Sequence, residues 1–521
     1  MHTGAWKGSG RPWLYVQDFN STAKMSFPFG IKTVTFYTLG CKLNQLESES
    51  IADAFRRQGF KVVPWNANTD TAYNGHSLKS ESILIINTCT VTSKSEQKAR
   101  RIIRKALRET SFKMIIVSGC YAQMDKAALE SLEYDSLEHG SLESNSIEQK
   151  RLFVIPQDEK HILLKLPETL SGRIMEPLSW KTLADQFINN QPSPDTSFCY
   201  EVGRFTFHSR AFVKIQDGCN KTCAYCRTRI ARGKSRSLEP EKALAVLKAL
   251  EEEGYDEAVL TGVNISQYHD KTGCSGLPAL LEYLVSGTSG IRLRLSSIEP
   301  DIIDAGFVRA VSHNRIRPHF HISLQSGSRA VLERMKRHYV PEQVLEGIRL
   351  LRTAKEDPFL GCDIIAGFPG ETPDDFEKTL DFAQKACFTG IHAFPFSRRP
   401  GTEALNMTGN RAIDRITERE TGLRIKRLNS LAARQRQDYI KRWIGREVEA
   451  IIEEDTVKLQ GYLPALSENY LKLLIKAGST AELKPAKAYN CRIVSDLENY
   501  LNIPKITGFD AVAEIIAPAN T

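Results

Sequence analysis

No apolar run in the chain approaches the roughly 18 residues that a membrane-spanning helix needs, and no basic-then-apolar leader opens it. These absences predict a soluble, cytoplasmic protein with no membrane partner, in a compartment where thiols stay reduced. A large excess of charge of one sign is also absent. Against 62 Asp and Glu stand 70 Lys and Arg, a net charge of +8 that permits a nucleic-acid partner without demanding one. Apolar residues are plentiful, at 41% of 521 residues. At about 100 to 200 residues per domain, that is enough for three packed units.

Residues 1–30 read as a disordered extension, with Met25 as an alternative start. From 31 to 165, helical patterns alternate with apolar runs at Thr33 to Leu39, Ile83 to Ile86 and Met114 to Val117, which predicts a parallel α/β sheet. Inside this stretch, Ser131 to Lys150 repeats one pentapeptide four times, as SLEYD, SLEHG, SLESN and SIEQK. It is too polar to bury and is expected to be a disordered insertion. Residues 166–204 read as a linker. From 205 to 442, short runs such as AVLTGVN, RLRLSS, HFHISLQ and GCDIIAGFPG predict a partial (β/α) barrel with its chemistry at the carboxyl ends of the strands. Residues 443–517, with VEAIIEE and NYLKLLI, read as a small all-β barrel. The fold class is therefore α/β with an all-β appendage.

Six of the 11 cysteines fall into two patterns. Cys219, Cys223 and Cys226 form CNKTCAYC just after the strand-like AFVKI. Three thiolates on one short loop can hold three irons of a [4Fe-4S] cluster and leave the fourth iron open. The alternative, a zinc knuckle, needs a fourth Cys or His at knuckle spacing, and none follows nearby. Cys41, Cys89 and Cys120 each end a strand-like run (FYTLGC, ILIINTC, MIIVSGC). In a parallel sheet those ends line one crevice, where three thiols could converge on one ligand; the other reading makes them buried core cysteines. Cys199, Cys274, Cys362, Cys387 and Cys491 have no such spacing and read as structural, and His208, His319 and His321 as packing residues.

The CxxxCxxC motif, with an aromatic residue before its last cysteine, resembles the radical S-adenosylmethionine superfamily. Taken with the second trio, the chain resembles the methylthiotransferase family over most of 31–401. The likeness rests on LGCKLNQLESE, NTCTVTSKSEQKARR, SGCYAQ, DGCNKTCAYCRTRIARG, LTGVNISQY, RLSSIEP, HISLQSGS, DIIAGFPGETPDDF and FPFSRRPGT. It implies two [4Fe-4S] clusters, one on each trio, with S-adenosyl-L-methionine as methyl donor and radical source, a reduced flavodoxin- or ferredoxin-like electron donor, and a sulfur source. Such chemistry suits the C2 hydrogen of adenine, which is neither acidic nor easily displaced.

The resemblance also places Thr261, Gly262 and Asn264 near the methionine part of the cofactor. Glu299, Gln325, Gly367 and Glu371 either meet its ribose or adenine or shape βα turns. It implies tRNA as substrate and a TRAM-like RNA-binding role for the all-β tail. Arg411 to Arg442 carries ten Lys or Arg against four acidic residues, and Lys94, Lys98, Arg100, Arg101, Arg104, Lys105 and Arg108 follow Cys89; both stretches suit phosphate contacts. LGCKLNQ resembles the branch acting on threonylcarbamoyladenosine, whereas GCQMN and GCPKN mark those acting on isopentenyladenosine and on a ribosomal-protein aspartate. HISLQSGS and TRIARG depart from the usual HxPLQSGS and IPYARG. A non-catalytic iron-sulfur RNA-binding protein is the alternative of a different class.

Overall fold

The computed structural model describes residues 33–65, 82–109, 112–138, 151–171, 196–270, 275–407, 416–454, 461–476, 483–497 and 508–519. The expected extension 1–30, Cys274, Arg411, Arg415 and residues 139–150 of the repeat tract lie outside the described residues.

The first domain is a parallel sheet of five strands in the order β2-β1-β3-β4-β5. These are β1 (Thr33–Thr38), β2 (Lys61–Pro64), β3 (Ser82–Thr88), β4 (Phe112–Gly119) and β5 (Leu152–Ile155). The central β3 is buried along its whole length, as an Ile- and Leu-rich strand covered on both faces should be. The helices Lys42–Arg57 and Ser93–Arg108 supply those covers. The edge strands β2 and β5 are four residues each, too short to leave a periodic signal.

The repeat tract does not lie wholly outside the core, because its first residues continue the helix Lys126–Glu138. Leu129 and Leu132, spaced i, i+3 on one helical face, are both buried against Ile102 and Leu107. The Glu133 carboxylate accepts hydrogen bonds from the backbone N–H of Arg151 at 2.7 Å and of Leu152 at 3.0 Å, which ties the helix to β5. Leu132→Ala is therefore expected to cost about 2 to 4 kcal/mol, read as a fall in the denaturation midpoint. The linker also begins later than expected: Leu166–Ser171 is helical, and Leu166 and Leu170 pack in the first domain's core with Phe55 and Phe60.

The central domain carries six parallel strands, in the order β6-β9-β10 and β11-β12-β13. They are β6 (Ala211–Lys214), β9 (Glu257–Thr261), β10 (Arg292–Leu295), β11 (His319–Gln325), β12 (Phe359–Ala366) and β13 (Gly390–Pro395). Parallel bridges Leu293↔Ile316 and Ile298↔Ile322 join the two halves into one partial barrel. The short antiparallel pair β7 (Gln216–Asp217) and β8 (Arg236–Ser237) closes the base of the cysteine loop.

The long helix Glu418–Trp443 leads into a closed five-stranded barrel ordered β14-β15-β16-β18-β17. Its strands are β14 (Glu447–Ile452), β15 (Tyr462–Ser467), β16 (Lys472–Lys476), β17 (Ala488–Asp496) and β18 (Ala511–Pro518). This barrel docks at the amino ends of the central strands. Arg294 grips Glu257 at 2.7 and 2.9 Å and donates to the Ser467 carbonyl at 3.1 Å, while Arg292 meets Glu449 at 2.6 Å. Burial opposes the Glu257 charge, but Arg294 and Arg317 outweigh it and hold the acid at about 2.

Candidate active site

Cys41, Cys89 and Cys120 follow β1, β3 and β4, which are neighbours in the sheet, so the three thiols share one edge. Their charges act on one another. Burial pushes Cys89 up to about 12, with Cys41 and Cys120 adding to the rise, and burial likewise raises Cys120. The glycine before two of them is obligatory. At φ +114, a Cβ on Gly40 would stand 2.9 Å from the Cys89 Cβ, and at φ +104 one on Gly119 would stand 2.4 Å from the Thr88 carbonyl. Asn44 donates to the carbonyls of Leu39 at 2.8 Å and Thr88 at 2.9 Å, pinning the first two cysteine turns together.

Cys219, Cys223 and Cys226 lie on the loop after β7. Burial raises the thiols of Cys219 and Cys226, and the neighbouring cysteines add to the rise in each. All six thiols are free. Hydrogen-bond donors are aimed at their sulfurs: Arg337 Nη1 at Cys223 (3.1 Å), Arg232 Nε at Cys120 (3.2 Å), the Val91 N–H at Cys89 (3.5 Å) and Asn264 Nδ2 at Cys219 (3.8 Å). Cations and amides directed at sulfur favour thiolate over thiol, so both trios fit anionic iron-sulfur clusters.

The trios belong to different domains, and Arg232 joins them. It ends the helix Thr228–Arg232 that follows the CxxxCxxC loop, and its side chain reaches into the first domain. Besides Cys120, it donates to Asn44 Oδ1 at 2.9 Å and pairs with Glu47 at 2.9 Å and Asp217 at 3.3 Å. Lys160 (2.7 Å) and Lys214 (3.2 Å) complete the group around Glu47, and Lys214 also pairs with Asp217 at 2.7 Å. Burial opposes the Glu47 charge, yet these three cations hold its carboxyl well below the usual range. Three cations face two carboxylates, so a positive excess sits beside Cys120. A second knot crosses the same seam: Glu96 of the first domain takes Arg227 at 2.8 Å and, closer still, Arg399. A cavity of about 500 Å³ opens beside Arg232, lined also by Tyr200, Lys214 and Asp217.

Of the other expected site residues, Thr261 is buried at the end of β9. A Cβ on Gly262 would meet Gln216 Oε1 at 2.8 Å, so close approach is required there. Glu299 lies beside the CxxxCxxC loop, paired with Arg337 and, at 3.4 Å, with Lys221. Gln325 holds a left-handed φ of 69° at the end of β11, backbone strain of the kind that collects at functional sites. Gly367 and Glu371 share one βα turn, in which Glu371 accepts from the Gly367 N–H at 2.6 Å and pairs with Arg424 at 2.6 Å, and Phe368 of the same turn packs in one cluster with Ala224 and Tyr225 of the CxxxCxxC loop. His208 pairs with Glu49 at 2.7 Å, and His319 packs against Phe359 and Tyr470. His321 is not a simple packing residue. It forms a near-equilateral triangle with Asp363 and His392 on adjacent strands, with sides of 3.3 to 3.5 Å, and burial holds it neutral with a pKa of about 4.

The basic stretches part ways. On the helix Ser93–Arg108, Lys94, Lys98, Arg101, Arg104 and Arg108 are exposed along one face, a stripe suited to phosphates. On the helix Glu418–Trp443, however, Arg424, Arg427, Arg436 and Arg442 pair with Glu371, Glu377, Asp510 and Asp357. Much of that charge is spent on packing the protein itself. Sequence reasoning missed Arg232 and Arg337, because nothing in the spacing of an arginine marks the sulfur it will reach.

Residues 213–383 match the model of the radical SAM superfamily, and residues 33–137 match that of the uncharacterized protein family UPF0004. The threonylcarbamoyladenosine tRNA methylthiotransferase MtaB of Treponema pallidum is 38% identical over 86% of this chain and 96% of its own length. The MtaB of Bacillus subtilis is 30% identical over 89% of this chain and 97% of its own. A tRNA-2-methylthio-N(6)-dimethylallyladenosine synthase of Koribacter versatilis is 28% identical over 84% of this chain and 90% of its own. Among the described residues, no helix is long and apolar enough to cross a membrane.

Proposed function

The chain belongs to the radical SAM methylthiotransferase family, and from that membership we propose that it attaches a methylthio group to C2 of N6-threonylcarbamoyladenosine beside the anticodon of tRNA. Cys219, Cys223 and Cys226 hold one [4Fe-4S] cluster, and Cys41, Cys89 and Cys120 the other. When bound, the clusters and S-adenosylmethionine supply a carbon radical and the methylthio sulfur. The observation that carries the reading is Arg232, which leaves the helix after one trio and meets a thiol of the other at 3.2 Å. The two centres thus share one site, as a radical step and a sulfur transfer at one carbon require.

The protein's own residues act by positioning. Arg337, fixed by its pair with Glu299 and its bond to the Ser323 carbonyl at 3.0 Å, orients Cys223. Arg232, Lys214, Glu47 and Asp217 are almost wholly buried and fix the seam between the centres. The exposed stripe from Lys94 to Arg108 and the carboxy-terminal barrel hold the tRNA, and a reduced iron-sulfur or flavin protein supplies the electron.

The branch is tested with reduced, iron-loaded protein and anticodon stem-loop RNAs carrying either nucleoside. The expected result is 5′-deoxyadenosine and 2-methylthio product on the threonylcarbamoyl RNA. Product on the isopentenyl RNA alone would move the chain to the sister reaction.

A further inference from the structure

Three neighbouring strands of the barrel bring together a set of ligands that neither cysteine trio uses. Asp363 on β12 and His392 on β13 are direct partners in the parallel ladder, so their side chains leave the same face of the sheet. His321 on β11 pairs with Gly361, two residues before Asp363, and by the same alternation shares that face. The residues beside them, Ile322, Cys362, Ile364 and Ile391, point the other way and are buried in the barrel's core.

The triangle has the dimensions of one face of a coordination tetrahedron. His321 Nε2 stands 3.3 Å from His392 Nδ1 and 3.5 Å from Asp363 Oδ1, and His392 Nδ1 stands 3.4 Å from the same oxygen. Zinc bonds of about 2.0 to 2.1 Å place tetrahedral ligands about 3.3 to 3.4 Å apart. Six-coordinate iron with bonds of about 2.1 Å would draw them to about 3.0 Å, and hydrogen bonds between such atoms centre at about 2.9 Å. The spacing of the carboxylate from both rings therefore fits a tetrahedral ion better than either alternative.

Two neighbours prepare His321 for the role. A Cβ on Gly361 would stand 2.9 Å from its Cδ2, so the glycine lets the ring lie across β12 toward Asp363 and His392. On the far side of the ring, Nδ1 meets the Ser297 hydroxyl at 3.0 Å. With the Nδ1 proton donated to that oxygen, the Nε2 lone pair is turned to the centre of the triangle, as outer partners do for metal-binding histidines. Among the described residues no lysine or arginine pairs with Asp363, which leaves its charge to a cation. Side-chain exposure rises from 14% at His321 to 63% at His392, so an ion has a path in from solvent. Two residues along β11, about 7 Å, the Ser323 carbonyl holds Arg337, which is aimed at Cys223.

We propose that His321, Asp363 and His392 bind a divalent ion of the zinc class as a third metal centre. Two imidazoles and one carboxylate are a donor set of zinc sites that keep a fourth position open, and that position takes water or a carboxylate oxygen. The inference does not depend on which nucleoside is modified.

The test equilibrates anaerobic, iron-loaded protein with zinc sulfate, removes free ions on a desalting column and measures zinc and iron by elemental mass spectrometry. Zinc-edge X-ray absorption then reads the ligands. About one zinc per chain is expected beside the iron, in a shell of nitrogen and oxygen at about 2.0 to 2.1 Å without sulfur. His392→Ala and Asp363→Ala should each lose the zinc. Ser297→Ala, which removes only the outer partner, should weaken it about tenfold to a hundredfold in a zinc titration, with iron unchanged in all three. If Asp363→Ala fails to fold, His392→Ala, made at an exposed side chain, decides. No retained zinc, zinc held through sulfur, or zinc retained equally by His392→Ala overturns the inference.

Discussion

Replacing Cys41, Cys89 and Cys120 together by alanine is expected to abolish methylthio transfer while leaving cofactor cleavage in place. The three thiols come from one edge of the first domain's sheet, whereas the residues that orient the other trio, Arg337 and Asn264, belong to the barrel. Bound iron should fall from about eight to about four per chain, and dithionite with S-adenosylmethionine should still give 5′-deoxyadenosine. The converse triple variant at Cys219, Cys223 and Cys226 should lose the same amount of iron and the deoxyadenosine as well. Methylthio product from the first variant would show that its trio carries no sulfur for transfer, and a zinc-loaded, iron-free wild type would remove the clusters from the account.

Glu47→Ala is expected to be among the most damaging single substitutions. Glu47 is fully buried and takes Arg232, Lys160 and Lys214 at once. Truncating it leaves three buried cations against Asp217 alone, a change worth about 3 to 5 kcal/mol. Thermal unfolding should show the loss, together with separation of the first domain from the barrel. The pH dependence has a definite sign. The Glu47 carboxyl is held below its unfolded value, so its contribution is present in full above the ordinary carboxylate range and disappears as pH falls toward the lowered folded value. The wild type should lose stability on acidification more steeply than Glu47→Ala. Equal acid slopes would mean that the Glu47 group does not hold the seam.

Much of this architecture could be read from the chain because its signals are local. The runs at Ile83 and Met114 are long, apolar and bounded, and they became β3 and β4. The CxxxCxxC spacing lies on one loop, and the three strand-end cysteines needed only a parallel sheet to bring them together. What stayed hidden depends on contacts between distant residues. Glu47 and Arg232 are 185 positions apart, and Arg337 meets Cys223 across 114; no periodicity reports such pairs. The repeat tract misled for the opposite reason. Its composition is polar, but Leu132, in register with Leu129 on the helix Lys126–Glu138, is buried in the core. The basic helix Glu418–Trp443 misled because charge counts cannot separate arginines facing a phosphate from arginines facing Glu377 or Asp510.

Nucleoside mass spectrometry is the direct test of the proposed sulfur insertion into threonylcarbamoyladenosine in tRNA. Total tRNA is hydrolysed from cells with and without the gene, and from deletion cells expressing the Cys219→Ala, Cys223→Ala, Cys226→Ala variant. The account predicts that 2-methylthio-N6-threonylcarbamoyladenosine vanishes from the deletion and variant cells, that unthiolated threonylcarbamoyladenosine accumulates in its place, and that the methylthio-isopentenyl nucleoside is unchanged. Unaltered 2-methylthio-N6-threonylcarbamoyladenosine in the deletion cells would contradict it.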